Sequence, residues 1–312
     1  MEHIPIFLIT GFLEGGKTTF IKEIFKDPEF AEGERVTLIV CENGIEEYEN
    51  NLLTQNNVTL VQINSKEELT SSFLKECNKE HKPTKVIIEY NGMWEYDIID
   101  NLDFPEGWEI AQVITPMDAS TFEGYMNNMK SLLIEQFNDS DLIILNRCTE
   151  KTDKLKFRNG VKAVNTKASI IFELENGEID DRPLELPFDI NADVIEFEDY
   201  DFGVWYLDAT ESPEKYEGKN VKIKGIAHTN DKYPKHVFAL GRNAMTCCED
   251  DIAFLGLLCQ AKEPVGFKDK AWIEIEGVIH KQFMVAEQRD IPFISVNDYK
   301  LVDKIEDDLI YF

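Results

Sequence analysis

Short apolar runs alternate with longer amphipathic stretches through the first half of the chain. The runs 4–9, 36–41, 58–63, 86–89, 110–115 and 142–146 are rich in Val, Ile and Leu and nearly continuous. A strand covered by helices on both faces has that character, whereas a strand with one wet face alternates. Between the runs, 18–25, 46–53, 66–80 and 120–136 read as helices, the last with a cap at Asp118 or Ser120. This order predicts an α/β layer fold with a mostly parallel sheet. A further strand is expected at 167–172.

The pattern then changes. A stretch rich in acids and prolines runs without clear period to residue 191, and beyond it 202–207, 220–227, 236–240, 272–279 and 291–296 read as strands. The pattern V-x-I-x-G at 221–225 recurs as I-x-I-x-G at 273–277, placing a glycine where a strand bends, as small closed barrels require. Residues 251–259 fit a buried strand or a short helix equally well by period. The predicted organisation is an α/β domain over 1–190 followed by a β-rich, OB-like barrel domain over 200–312.

Composition narrows the function classes. A chain of 312 residues is long enough for two cores. It contains no run of roughly 18 apolar residues that would span a bilayer, and no basic leader with a cleavage site. A cytoplasmic protein without membrane insertion is therefore expected. Sixty acids against 32 bases give a net charge of −28, which disfavours nucleic acid and anionic membranes as partners. The imbalance is uneven: residues from Glu196 onward carry −9 and those before it −19. An anionic ligand of the first domain needs a local device to hold it.

The stretch "GFLEGGKTTF", residues 11–20, supplies one. It fits G-x-x-x-x-G-K-[ST] in full, after an apolar strand and before an amphipathic helix. Gly11, Gly15 and Gly16 let backbone N–H groups curl around a phosphate, and the helix start adds its dipole. Lys17 is expected to reach the β- and γ-phosphates and the Thr18 hydroxyl to bind Mg²⁺. Glu14 and Thr19 complete the predicted nucleotide-binding loop. Glu89, at the end of a strand, is placed to organise Mg²⁺ or the attacking water. Gly92 would offer its N–H to the γ-phosphate and shift on hydrolysis. The plainer alternative is that Glu89 ends a strand at the surface. Glu42, also just past a strand, is the second candidate for Mg²⁺. On this reading Lys17, Glu89 and Gly92 are catalytic.

The base side departs from the guanine pattern N-K-x-D. Asn146 is in position and Arg147 offers its stem for stacking, but Thr149 stands where the carboxylate belongs, with Glu150 and Asp153 nearby. Loss of a charge-assisted pair costs about 1.5–3 kcal/mol, so either a weak guanine preference or adenine is compatible.

The first half resembles the CobW-like branch of the SIMIBI P-loop GTPases, whose relatives insert nickel, cobalt or zinc into client proteins. The opening "ITGFLEGGKTT" is similar to that family's I-T-G-F-L-G-S-G-K-T-T. "VCENG", with Glu42 and Gly44, falls on V-N-E-F-G-E, and "IEYNG", with Glu89 and Gly92, on E-T-S-G. "LNRCT" falls on N-K-x-D, and "VNTKASII" resembles the following N-P-x-A-x-I. The family's C-x-C-C after the third strand is absent: Gln62, Ile63 and Asn64 stand there and cannot bind a soft metal. The second half resembles a small β-domain of YcgQ-like permease-associated proteins, with the pattern R-x-x-M-x-C-C-x-A-D. Arg242, Met245, Cys247 and Cys248 match it, Asp250 and Asp251 fall near its acid, and the end of the chain, "DLIYF", is similar to that domain's aromatic terminus.

The vicinal pair Cys247 and Cys248 can approach one metal ion, with Cys259, His228, His236, Asp250 and Asp251 available to complete a Zn²⁺ site. Buried structural cysteines and thiol redox chemistry are the alternatives. Together these readings predict a protein that binds GTP with Mg²⁺ and hydrolyses it slowly. They couple its nucleotide state to a metal-related task or to a protein client, a permease-related partner included, and the resemblance admits a homodimer. The rivals are a non-enzymatic nucleotide-dependent scaffold, a small-molecule kinase, and a metal-binding module with a degenerate nucleotide domain.

Overall fold

The computed structural model describes all residues except 1–2, 28–29, 31–32, 43, 45, 231, 246–251, 286–287, 307 and 312. The chain divides into two compact units, residues 1–154 with 167–182, and residues 155–166 with 183–312.

The first unit is built on seven strands: β1 (Ile4–Ile9), β2 (Val36–Val40), β3 (Val58–Gln62), β4 (Lys85–Glu89), β5 (Trp108–Asp118), β6 (Leu142–Cys148) and β7 (Ser169–Leu174). They lie in the order β3-β2-β4-β1-β5-β6-β7, and every pairing is parallel. All five residues of β2 are buried, as its unbroken apolar run requires. Register brings the carboxyl end of β1 beside that of β4, with Ile9 opposite Glu89, and Val40 of β2 lies opposite Glu89 on its other side. Two apolar layers flank the sheet, one around Leu8, Ile88 and Tyr90, the other around Ile9, Ile21 and Leu38.

Its helices are α1 (Lys17–Lys26), α2 (Asn50–Gln55), α3 (Ser71–His81), α4 (Asp97–Asp100), α5 (Phe122–Asn128) and α6 (Lys130–Asn138). In α1 the buried positions Lys17, Ile21 and Phe25 recur every four residues, the stripe of an amphipathic helix. Several expected boundaries move. The helix expected over 66–80 opens as a 3₁₀ turn and begins only at Ser71, where the Thr70 hydroxyl caps the Phe73 N–H. The one expected over 120–136 breaks at Met129 into α5 and α6. The one expected over 46–53 forms only from Asn50, because Glu46 turns instead to Thr19 and Lys22.

In the second unit, β9 (Asn220–His228), β10 (Val237–Met245), β11 (Ile252–Ala261), β12 (Ala271–Met284) and β13 (Arg289–Leu301) close a five-stranded barrel. The circuit β9-β10-β11-β13-β12-β9 is antiparallel except for the parallel pair β11–β13, the partly Greek-key order of an OB fold. The β12–β13 register shifts between Glu276 and Gly277, at one of the glycines expected to bend a strand. The short strands β8 (Val194–Ile195) and β14 (Leu309–Tyr311) add to β9 and β10. Residues 251–259, ambiguous by period, fall largely in β11.

One expectation fails here. Residues 202–207 are not a strand but the start of α8 (Phe202–Glu211), which follows the helix α7 (Lys154–Lys162) in chain order. The aromatic run has strand-like composition, but Phe202, Trp205 and Ala209 enter the barrel core at i, i+3 and i+7, a helical period. Helix α7 itself was not expected. Residues 155–166, which include all of α7 except Lys154, belong with this unit, where Arg158 and Lys162 pair with Glu211 of α8.

Candidate nucleotide site

The loop leaving β1 carries two glycines in the left-handed region, Gly11 at φ 116° and Gly16 at φ 100°. At Gly16 the angle asks for glycine, and a Cβ would stand 2.4 Å from Asn146 Nδ2 and push that amide aside. Helix α1 then starts at Lys17 with no side chain capping its first turn. Its first N–H groups, with the helix dipole behind them, are available to an anion.

Lys17 is 3% exposed, and its ammonium donates to Gly11 O at 2.7 Å and Phe12 O at 2.9 Å. Glu42 Oε1 lies 2.5 Å from the same Nζ. The Thr18 hydroxyl donates to Glu89 Oε1 at 2.6 Å, and Tyr48 donates to Glu89 Oε2 at 2.6 Å. Glu89, 2% exposed, thus has both oxygens engaged. Burial pushes its carboxyl above the usual range against the two hydroxyl donors and Lys17. Burial likewise raises the Tyr48 phenol, helped by Glu89, and the Cys41 thiol. Burial thus favours the neutral thiol of Cys41, the residue before Glu42.

A cleft of about 250 Å³ opens over this loop. Glu14, Gly16, Lys17, Thr18, Thr19 and Glu42 line it, as does Arg147. Of the other predicted site residues, Gly11, Gly15, Glu89, Gly92 and Asn146 are not among those lining it. Asn146 Nδ2 donates to Gly15 O at 2.8 Å, tying β6 to the loop. Arg147 has φ 54°, and its guanidinium bonds Glu14 O at 3.1 Å and Asp118 Oδ2 at 2.5 Å. Burial raises the Asp118 carboxyl, but Ser120 and Arg147 outweigh it and hold it low. Thr149 is engaged locally: its hydroxyl accepts from Lys151 N–H, and its carbonyl accepts from Arg182, which Asp180 holds.

Residues 5–172 match the CobW/HypB/UreG nucleotide-binding domain. The chain belongs to that family. Residues 183–312 match the DUF1980 C-terminal domain. Among solved structures, the CobW/HypB/UreG fold of this chain is similar to the hydrogenase maturation factor HypB from Archaeoglobus fulgidus. That match has 17% identity, 56% of this chain and 83% of that one, at a TM-score of 0.41. It is also similar to the Zn(II)-bound YjiA GTPase from E. coli, with 16% identity, 94% of this chain and 89% of that one, at a TM-score of 0.44. No curated protein matches the chain.

Three contacts around the loop have no short motif to announce them. Tyr48 on Glu89, Asp118 on Arg147, and Gln136 beneath the loop all arrive from segments far away in the chain. In the second unit, Arg242 of the R-x-x-M-x-C-C pattern is buried and binds Asp199 Oδ1 at 2.5 Å, Asp199 O at 2.6 Å and Lys224 O at 3.1 Å. It pins the turn before α8 to the barrel. Cys247, Cys248, Asp250 and Asp251 lie outside the described residues. Cys259 is buried with its thiol raised by that burial, and no group of three or more metal-binding side chains occurs among the described residues. Nor does any described helix have the length and apolarity to cross a membrane.

Proposed function

We propose that the first unit binds GTP with Mg²⁺ in the cleft over residues 11–19 and hydrolyses it slowly, its nucleotide state serving a client protein or a metal-related task. The observation that carries this reading is the uncapped start of α1 at Gly16, with the buried Lys17 ammonium facing the same cleft. Amides and ammonium together offset the repulsion that a chain of net charge −28 exerts on a polyphosphate.

The residues present fit a hard cation. Because Thr18 commits its proton to Glu89, its oxygen has only lone pairs left to offer, and the nearby donors are oxygens. Thr18 would hold Mg²⁺, with Glu89 orienting Thr18 and Glu42 close by; the ion would neutralise charge on the phosphates. Lys17 carries the charge that builds on the transferred phosphoryl oxygens, and Gly92 offers its N–H beside the loop. Weak base discrimination follows from Thr149, a neutral hydroxyl that already accepts from Lys151 N–H where an anion would pair with the base.

A second reading is a nucleotide-dependent switch without useful turnover. The engagement of both Glu89 oxygens favours it, since a carboxylate holding Thr18 and Tyr48 is a positioning group rather than a free base. Titration with labelled GTP and ATP, with and without Mg²⁺, on protein of measured metal content tests both. Mg²⁺-dependent binding that Lys17→Ala abolishes supports the site; equal binding by that variant sinks it. Equal hydrolysis by wild type and Glu89→Gln favours the switch.

A further inference from the structure

We propose that Gln136 is the positioning residue that seats the Gly92 segment on the phosphate loop and thereby sets the preference for triphosphate over diphosphate. The inference rests on the nucleotide reading above and deepens it.

Gln136, on α6, is buried. Its Oε1 accepts from the Gly11 N–H at 3.0 Å and from the Thr10 hydroxyl, while its Nε2 donates to Gly92 O at 3.2 Å. Two main-chain partners of opposite polarity fix the orientation of the amide. Gly11 N–H can only donate and Gly92 O can only accept, so no flipped amide satisfies both. A carboxylate, a hydroxyl or an apolar chain fails at one end or at both.

The two segments that Gln136 joins are in direct contact. A Cβ at Gly92 would lie 2.2 Å from Gly11 O and 3.0 Å from Phe12 N, so the 92 backbone rests on the peptide that opens the loop. That same Gly11 carbonyl accepts from Lys17 Nζ. One amide therefore connects the N–H of Gly11, whose carbonyl holds the phosphate lysine, to the carbonyl of the glycine expected at the γ-phosphate. If Gly92 moves off the loop, the Nε2 bond is the one that breaks; if it is seated, Gln136 is satisfied at both ends. The backbone of Gln136 is itself fixed, because Ser140 and Thr115 hydroxyls donate to its carbonyl.

The test compares wild type with Gln136→Glu and Gln136→Met, measuring dissociation constants for Mg²⁺–GTP, for a non-hydrolysable GTP analogue and for GDP, alongside thermal unfolding without nucleotide. Gln136→Glu keeps the acceptor for Gly11 and Thr10 and loses the donor to Gly92; Gln136→Met keeps the size and loses both. The expected result is a tenfold or greater fall in the triphosphate-to-diphosphate affinity ratio in both variants, with GDP affinity within about twofold of the parent in Gln136→Glu, which keeps the acceptor for Gly11. A general loss of structure would lower both affinities and leave the ratio unchanged. A ratio in the variants equal to that of a discriminating wild type overturns the assignment of Gln136 alone. Wild-type protein that binds neither nucleotide overturns the nucleotide reading, and this one with it.

Discussion

The Thr18 hydroxyl donates to Glu89 Oε1 at 2.6 Å, joining the first turn of α1 to the carboxyl end of β4. These residues are 71 apart in the chain, and the β1–β4 register is what brings them together. Replacing Glu89 by Gln leaves the size unchanged but removes the anion that fixes the Thr18 proton. The expected outcome is a weakened Mg²⁺ dependence of nucleotide binding, read as the ratio of GTP affinities with and without the ion.

The same substitution has a sign in stability. Burial raises the Glu89 carboxyl in the folded protein, so the folded state holds its proton more tightly than the unfolded chain does. Stability from this group is greatest below the ordinary carboxylate range and falls as pH rises through the raised value. At neutral pH and without nucleotide, Glu89→Gln is expected to unfold at a higher temperature than wild type. The gain disappears on acidification. Each 1 kcal/mol would appear as a shift of about 2–4 °C in a domain of this size. A lower midpoint at neutral pH counts against this account.

Glu42 and Lys17 make an ion pair of 2.5 Å at the cleft, and a phosphate oxygen seeks the same ammonium. Glu42→Gln is expected to tighten nucleotide binding in EDTA, where the carboxylate only competes. With Mg²⁺ present the gain should shrink or reverse if Glu42 also serves the metal. Isothermal titration under both conditions separates the two effects, and unchanged affinity in EDTA rules out the competition.

Lys17→Ala removes a cation held by two loop carbonyls in a nearly dry site. A loss of two or more charge-assisted bonds, each worth about 1.5–3 kcal/mol, predicts at least a 100-fold fall in Mg²⁺–GTP affinity. Equilibrium filter binding measures it.

Thr149→Asp restores the anion that the base side lacks. It is expected to raise the GTP-over-ATP preference by roughly 10- to 100-fold, from the same range for a charge-assisted hydrogen bond. Competition of ATP against labelled GTP reads the ratio directly.

In the barrel, Arg242→Met should lower stability by about 2–4 kcal/mol, because Asp199 O and Lys224 O lose their donor and Asp199 loses its counter-ion. Urea unfolding checks it.

The sequence by itself determined the parallel sheet, the phosphate loop and the glycine-marked barrel. Unbroken apolar runs, G-x-x-x-x-G-K-T and V-x-I-x-G are local patterns whose physics depends on neighbouring residues alone. Residues 202–207 show the limit of such reading, since the aromatic run suits a strand and only the barrel core, by admitting every third or fourth side chain, makes it a helix. The site divides in the same way. Gly16, Lys17 and Thr18 are legible because they fall together in one short motif. Tyr48 on Glu89, Asp118 on Arg147 and Gln136 between Gly11 and Gly92 were decided only by tertiary structure. Each is a polar group whose partner is chosen by sheet order and register across tens of residues, and a hydrogen bond at 2.5–3.2 Å leaves no trace in spacing along the chain.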